Sequence, residues 1–214
     1  MTPLEEGRRV KAPTAIVETN RITKTLLCVF FLAAPLFGQA SNGPAGAVTS
    51  AATLEASAGY AYLSLAAPDS QHVALNGFTA NVVSRFTPHW GGNLDFTFAR
   101  AGDVLGTGKS DTISNVMIGP VFYPFERGKT AVFVHALVGI AWIHGAVPVT
   151  ATTYYDGWED RPSFALGAGV ERAITGPFAA RVGVDYLHTT FVNPTGATAG
   201  QNDLRLTATF VYRF

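Results

Sequence analysis

The C-terminal segment, residues 204–214, alternates without interruption. Leu204, Leu206, Ala208, Phe210, Tyr212 and Phe214 share one parity, and Arg205, Thr207, Thr209, Val211 and Arg213 share the other. Successive side chains of an extended strand point to opposite faces, so this segment presents one oily face and one largely polar face. Seven further stretches repeat the pattern, and together they constrain the chain to a sheet that separates an apolar environment from a polar one.

Residues 54–65 set Ala56, Ala58, Tyr60 and Tyr62 against Glu55, Ser57, Gly59 and Ala61. Residues 73–86 set Phe78, Ala80, Val82 and Phe86 against Gly77, Thr79, Asn81 and Arg85, and residues 93–100 set Leu94, Phe96 and Phe98 against Asn93, Asp95 and Thr97. In residues 111–123, Val116, Ile118 and Phe122 oppose Asn115, Met117, Gly119, Val121 and Tyr123, while Pro120 removes one ladder donor. Residues 130–144 are apolar on both faces, with Val132, Val134, Ala136, Val138, Ile140 and Trp142 against Phe133, His135, Leu137, Gly139 and Ala141. Their β-branched content selects a strand over a buried helix. Phe164, Leu166, Ala168 and Val170 of residues 163–174 oppose Gly167, Gly169 and Glu171; Ala180, Val182, Val184 and Tyr186 of residues 178–191 oppose Arg181, Gly183 and Asp185.

Each stretch is about ten residues long, the length a tilted strand needs to cross bilayer hydrocarbon. The connections alternate as well. Residues 87–92, 125–129 and 175–177 are short and carry Pro or Gly, whereas residues 67–72, 101–110, 145–162 and 192–203 are mostly longer. The pattern predicts an all-β fold: an eight-stranded antiparallel up-and-down transmembrane β-barrel with short periplasmic turns and longer extracellular loops.

The N-terminus carries an export pattern. Arg21 and Lys24 precede an apolar run over residues 26–37, and Gly38-Gln39-Ala40 offers small residues for cleavage before Ser41. The run is too short for a transmembrane helix and holds Pro35 near its end. Residues 1–40 are therefore read as an N-terminal extension and cleaved signal peptide, 41–53 as a short periplasmic segment, and 54–214 as the barrel. Cys28, the single cysteine, would leave with the signal, so no disulfide or thiolate metal site is expected. Lys+Arg 15 balances Asp+Glu 15, and no basic surface points to nucleic acid.

Charge is sorted by parity. With the apolar parity facing lipid, the inward parity collects Glu55, Arg85, Asp95, Glu171, Arg181, Asp185, Arg205 and Arg213 as a lumen charge network. On the lipid parity Arg172 lies beside the turn at 175–177, where a long side chain can reach the interface. A cation at mid-bilayer on that face costs roughly 2–4 kcal/mol. An eight-stranded interior is about wide enough to be filled by side chains. The network is then either a static polar core that satisfies buried charges or the plug of a small gated pore for ions or small solutes. Inward Gly59, Gly77, Gly119, Gly139, Gly167, Gly169 and Gly183 would make room for the arginines. His135, with no second His nearby in sequence, is expected as a hydrogen-bonded core residue rather than a metal ligand. Tyr60, Tyr62, Phe86, Trp90, Phe122, Trp142, Tyr186, Phe210, Tyr212 and Phe214 would form interfacial belts.

The third long loop holds an aromatic and acidic cluster: Tyr154, Tyr155, Asp156, Gly157, Trp158, Glu159 and Asp160. It is a candidate contact surface for a host molecule, a glycan or a cation, although no calcium-loop spacing is present. The alternative is a solvated loop whose ring folds back on the barrel rim.

The terminal phenylalanine, with Phe210 and Tyr212 on its face, resembles the sorting signal of bacterial outer-membrane barrels. Ile118-Gly119-Pro120, the segment Phe133-Val134-His135-Ala136-Leu137-Val138-Gly139, Gly167-Ala168-Gly169-Val170-Glu171 and Tyr212-Arg213-Phe214 resemble the small eight-stranded outer-membrane proteins of the OmpA-barrel and opacity-protein type, the outer membrane protein beta-barrel domain family. The resemblance covers the whole mature chain. It implies a cell-envelope location in the outer membrane of a Gram-negative cell and a role in envelope integrity, adhesion or host contact. Implied partners are outer-membrane lipid and lipopolysaccharide, the barrel assembly machinery, periplasmic chaperones and an extracellular ligand at the loops. No cofactor is implied, and the peptidoglycan-binding domain of larger relatives is not expected.

Two other classes compete. Lipid A deacylases are also small barrels and use a His and a Ser on the outer face, but here His188 is followed by Thr189 and Thr190 with no matching serine, so no catalytic residue is assigned. A soluble lipocalin-type barrel needs apolar residues inside and polar ones outside, the reverse of the sorting seen here.

Overall fold

The structure is a computed structural model that describes residues 53–66, 72–104, 108–148, 154–192 and 198–214. The residues read as a signal peptide and most of the segment read as periplasmic lie outside the described residues. Eight strands follow in order: β1 (Thr53–Ala66), β2 (His72–Arg85), β3 (Trp90–Ala101), β4 (Asp111–Arg127), β5 (Thr130–Pro148), β6 (Tyr154–Thr175), β7 (Phe178–Val192) and β8 (Thr198–Arg213). Each pairs antiparallel with its sequence neighbour, and β8 returns to β1 with Tyr212 opposite Ala56 and Leu204 opposite Ser64, closing the barrel. Closure pairs every strand on both edges over its middle, which lets a sheet reside in hydrocarbon without orphaned backbone groups.

The period-2 pattern becomes two surfaces. Glu55, Thr79, Asp95, Met117, Leu137, Ala165, Asp185 and Arg205 are buried inside, while Phe78, Ile118, Val138, Leu166, Val182 and Phe210 face outward and are exposed. The connections at one end are tight. β4–β5 and β6–β7 turn through two residues each, with Gly128 at φ 61° and Gly176 at φ 53°, a left-handed conformation that suits glycine at the first position of a two-residue hairpin.

Three expectations need correction. Residues 145–162 are not a long loop: β5 continues to Pro148 and β6 begins at Tyr154, with Tyr154 opposite Pro148 and Trp158 opposite His144. Likewise β8 starts at Thr198 rather than Leu204. Outside the hydrocarbon the apolar/polar alternation loses its selective reason, yet backbone pairing continues, so the strands outrun the pattern.

The third correction concerns the inward glycines. A methyl group at Gly59, Gly77, Gly119 or Gly139 would overlap the backbone of the adjacent strand, and at Gly169 it would meet the Phe133 ring. At these positions glycine permits close strand approach rather than room for arginine. Gly167 alone lies against an ionic group, with Asp185 and His135 over it.

β4 is the least regular strand. Its pairing to β5 skips Gly119 and Pro120, and the register shifts between Phe122 and Phe125. The missing proline N–H falls in that gap, so no donor is left out of an otherwise formed ladder.

Candidate functional site

The lumen is divided along its axis. Toward the longer connections it is apolar: Ala61, Leu63 and Leu65 of β1, Val73 and Leu75 of β2, Ala99 and Ala101 of β3, Ile113 and Met117 of β4, Leu137, Ala141 and Ile143 of β5, Ala165 of β6 and Leu187 of β7 form one buried cluster. Val104, from the β3–β4 connection, completes it and is fully buried. A lumen filled throughout by polar and charged groups is thus a further expectation that the structure corrects. Near this end Leu63, Leu75, Leu137 and Leu187 are fully buried, and the inward arginines are left to the other half, but two carboxylates are buried here as well: Asp111 opposite Ala101, and Asp203 opposite Leu187, its Oδ1 accepting the Ala66 N–H at 2.8 Å. Asn115 interrupts the cluster, and its amide nitrogen and oxygen find no partner there.

The eight charged residues expected in the lumen all face inward, but seven of them form two groups instead of one network. At mid-barrel Arg205, 1% exposed, donates from Nε to Asp185 Oδ2 at 2.6 Å and from Nη1 to Asp95 Oδ1 and Thr97 Oγ1, each at 2.6 Å. His135 Nε2 lies 2.8 Å from Asp185 Oδ1. Four strands, β3, β5, β7 and β8, are thereby tied across the lumen. Arg205 comes from β8 and Asp95 from β3, which are not neighbours in the sheet, so the contact braces the barrel in a direction that backbone ladders do not.

Nearer the short turns, Arg181 Nε donates to Glu171 Oε2 at 2.8 Å and its Nη2 to Glu55 Oε2 at 2.8 Å. Arg213 bonds Glu171 and lies 3.3 Å from Glu55 through Nε. Arg85 joins neither group: it pairs with Glu126 at 3.2 Å and stacks over the Tyr123 ring at 3.7 Å. Glu126 escapes sequence reading because the β4 bulge reverses its parity, turning it inward. Between the two groups a cavity of about 20 Å³ is bounded by Asn93, Asp95, His135, Arg181, Asp185, Arg205 and Thr209 among others. That is room for a water molecule, and Asn93 Oδ1 and Thr209 Oγ1, otherwise unpartnered, suit one.

On the outer surface Phe210, Tyr212 and Phe214 point into the surroundings, with Tyr212 packed edge-on to Phe178 at 5.4 Å and to Phe214 at 4.8 Å. Trp90 and Phe122 meet at 4.7 Å on the same end. At the opposite end Tyr186 donates its hydroxyl to Asn202 at 2.6 Å, and Tyr60 bonds Asn76. Rings with a polar tip and an apolar body mark the two interfaces of a hydrocarbon band.

His188 and Thr189 lie on opposite faces. His188 Nδ1 contacts Asn202 outside at 2.7 Å, whereas Thr189 is fully buried inside. A base and a nucleophile must share hydrogen-bond reach, and these do not.

Of the aromatic and acidic cluster, the backbone of Tyr154, Tyr155, Asp156 and Trp158 forms the start of β6, and their side chains lie outside the described residues. Glu159 Oε1 accepts from Arg161 at 2.5 Å, and Asp160 is exposed. β6 pairs with β7 only from Ser163 onward, whereas β5 stays paired with β4 up to Gly145, so residues 146–148 of β5 and 154–156 of β6 form a two-stranded ribbon above the rest of the sheet.

The sequence matches the family described as outer membrane protein beta-barrel domain over residues 25–214. No curated protein matches it. Among solved structures it is similar to Ail, the attachment invasion locus protein of Yersinia pestis, at 17% identity and a TM-score of 0.54, covering 76% of this chain and 99% of that one. Ail in complex with the heparin analogue sucrose octasulfate matches at 19% identity, TM-score 0.51, with the same coverage. Neisserial surface protein A matches at 12% identity, TM-score 0.60, covering 75% of this chain and 97% of that one. At these identities the likeness is one of fold.

Proposed function

We propose that this chain, which belongs to the outer membrane protein beta-barrel domain family, is a closed, non-conducting surface barrel whose work is contact at its long-loop end. The observation that carries this reading is the lumen. An ion entering from the short turns meets two bound arginine–carboxylate groups and then a buried apolar cluster with Leu63, Leu75, Leu137 and Leu187 at its heart. Desolvating an ion among these leucine side chains is costly.

The ribbon of β5 and β6 supports the contact role. The ribbon and the β6 residues at its base carry Tyr154, Tyr155, Asp156, Trp158, Glu159 and Asp160 beyond the pairing with β7. Aromatic residues are favoured anchors in protein interfaces. Attachment, named for Ail, is a role of the same kind, but the ligand would differ: a sulfated sugar is polyanionic, and the acidic ribbon favours a neutral or cationic partner. The short turns and both strand termini would face the periplasm and the ribbon the exterior.

Planar-bilayer recording and cell adherence test this together. The purified barrel should give no reproducible unitary conductance, and bacteria expressing it should lose adherence to epithelial cells when residues 147–160 are replaced by a tight turn. A stable unitary current refutes the closed-barrel reading in favour of the pore. Undiminished adherence of the shortened form refutes the ribbon's role.

A further inference from the structure

The β-bulge in β4 gives the outer surface a feature that alternation alone would not produce. Past Phe122 the register shifts, so that Phe125 pairs with Val132 and Arg127 with Thr130, on the lipid-facing side of β5. Thr130 pairs in turn with Arg172 across β5 and β6. Arg127, Thr130 and Arg172 therefore stand in one row on three adjacent strands. Lys129 occupies the turn beside them, its carbonyl accepting the Ala173 N–H at 2.8 Å. With strands about 4.8 Å apart, the two arginine backbones are about 10 Å from each other, a span their long side chains can close around one group.

Nothing in the described protein occupies these cations. Arg127, Lys129 and Arg172 are all exposed, and among the described residues none makes an ion pair or a side-chain hydrogen bond. The nearest carboxylates are turned away: Glu126 pairs with Arg85 and Glu171 with Arg181 and Arg213, on the lumen side. The adjoining row toward the middle of the barrel is apolar, with Phe125, Val132, Val170 and Val182 in register. Phe125, Val170 and Val182 are 51%, 41% and 56% exposed. Unpaired cations bordering an apolar wall match an amphiphile with an anionic head, and a guanidinium fork suits phosphate.

We propose that this row is a binding site for an anionic phospholipid in the leaflet at the short-turn end. Arg127, Arg172 and Lys129 hold the phosphodiester, the Thr130 hydroxyl donates to it, and an acyl chain lies along Phe125, Val132 and Val170. The site is independent of whatever the ribbon contacts.

The test uses the folded barrel in nanodiscs of phosphatidylcholine and phosphatidylglycerol at equal proportions, released into a native mass spectrometer. The wild type should retain phosphatidylglycerol over phosphatidylcholine, and the preference should fall by about fivefold for each cation neutralised in R127Q, K129Q and R172Q. R100Q, at the opposite end, should leave it unchanged. Heat-dependent migration on a detergent gel verifies that each variant is folded. Should the triple variant fail to fold, R172Q alone must still show its share. Equal retention of both lipids by the wild type, or unaltered preference in folded R172Q, overturns the site. Inorganic phosphate titrated into the barrel in neutral detergent should leave the phosphorus-31 signal sharp. Broadening there, without lipid preference in nanodiscs, overturns the phospholipid assignment in favour of a free-anion site.

Discussion

Arg205 is the side chain on which most of the mid-barrel contacts converge. It satisfies Asp95, Asp185 and Thr97 from within a site that excludes solvent almost completely. Removing one partner of such a group leaves uncompensated buried charge, which costs about 3–5 kcal/mol, whereas removing all partners together costs much less. Arg205→Met should lower the urea unfolding free energy in detergent by that amount, and adding Asp95→Asn with Asp185→Asn should recover most of it. Failure of the added pair to recover stability would mean that the cluster contributes net attraction rather than mutual compensation. Asn115 presents the reverse case, a buried amide with neither atom partnered in an apolar cluster. Asn115→Leu should raise unfolding stability by about 1–3 kcal/mol; a loss of stability in the same titration would reveal a bound water in that position.

At the scale of elements, pairing and parity come from different causes. Parity is imposed by lipid on one side and close packing on the other. The extent of pairing depends only on backbone geometry, and so β5 and β6 continue as strands where parity has faded. The inward glycines show the same separation. Gly77 lies under the β3 backbone, where a methyl would overlap Phe98 O and Ala99 Cα, whereas a methyl at Gly92 would meet only Phe86 Cε1 at 4.0 Å. Gly77→Ala should therefore weaken the β2–β3 pairing and cost about 1–3 kcal/mol, with Gly92→Ala nearly neutral. The comparison is read from the unfolding midpoints of the two variants in one detergent. Equal midpoints would show that the strands can separate without penalty.

For the molecule as a whole, closure and filling act together. On the proposed closed-barrel reading the ionic groups and the apolar cluster stand in series inside the barrel, and a current needs both removed. Arg205→Ala alone should leave planar bilayers silent. So should Leu63→Ser with Leu137→Ser and Leu187→Ser, while the combination of all four should admit ions. A current from Arg205→Ala by itself would show that the apolar half is no barrier. The outer surface is organised by the same axial order, with aromatic pairs at the short-turn end, tyrosine–asparagine contacts at the other, and Arg127, Lys129 and Arg172 outward beyond the apolar band.

The sequence by itself determined the strands that cross the hydrocarbon, their order and, away from the β4 bulge, the face that their residues take. Alternation is a local property enforced by two unlike environments, so Glu55, Asp95, Asp185 and Arg205 could be placed inside without any knowledge of their neighbours. The tertiary structure alone decided which charge meets which. Arg205 reaches Asp95 across the lumen, far away in sequence, and that depends on register and barrel shear rather than on composition. It also decided the apolar cluster of the lumen, because Leu63, Leu75, Leu137 and Leu187 read as ordinary inward residues until closure gathers them together. The β4 bulge was equally hidden: a one-residue register shift leaves little trace in a pattern of period two, yet it turns Glu126 toward Arg85 and Arg127 toward lipid.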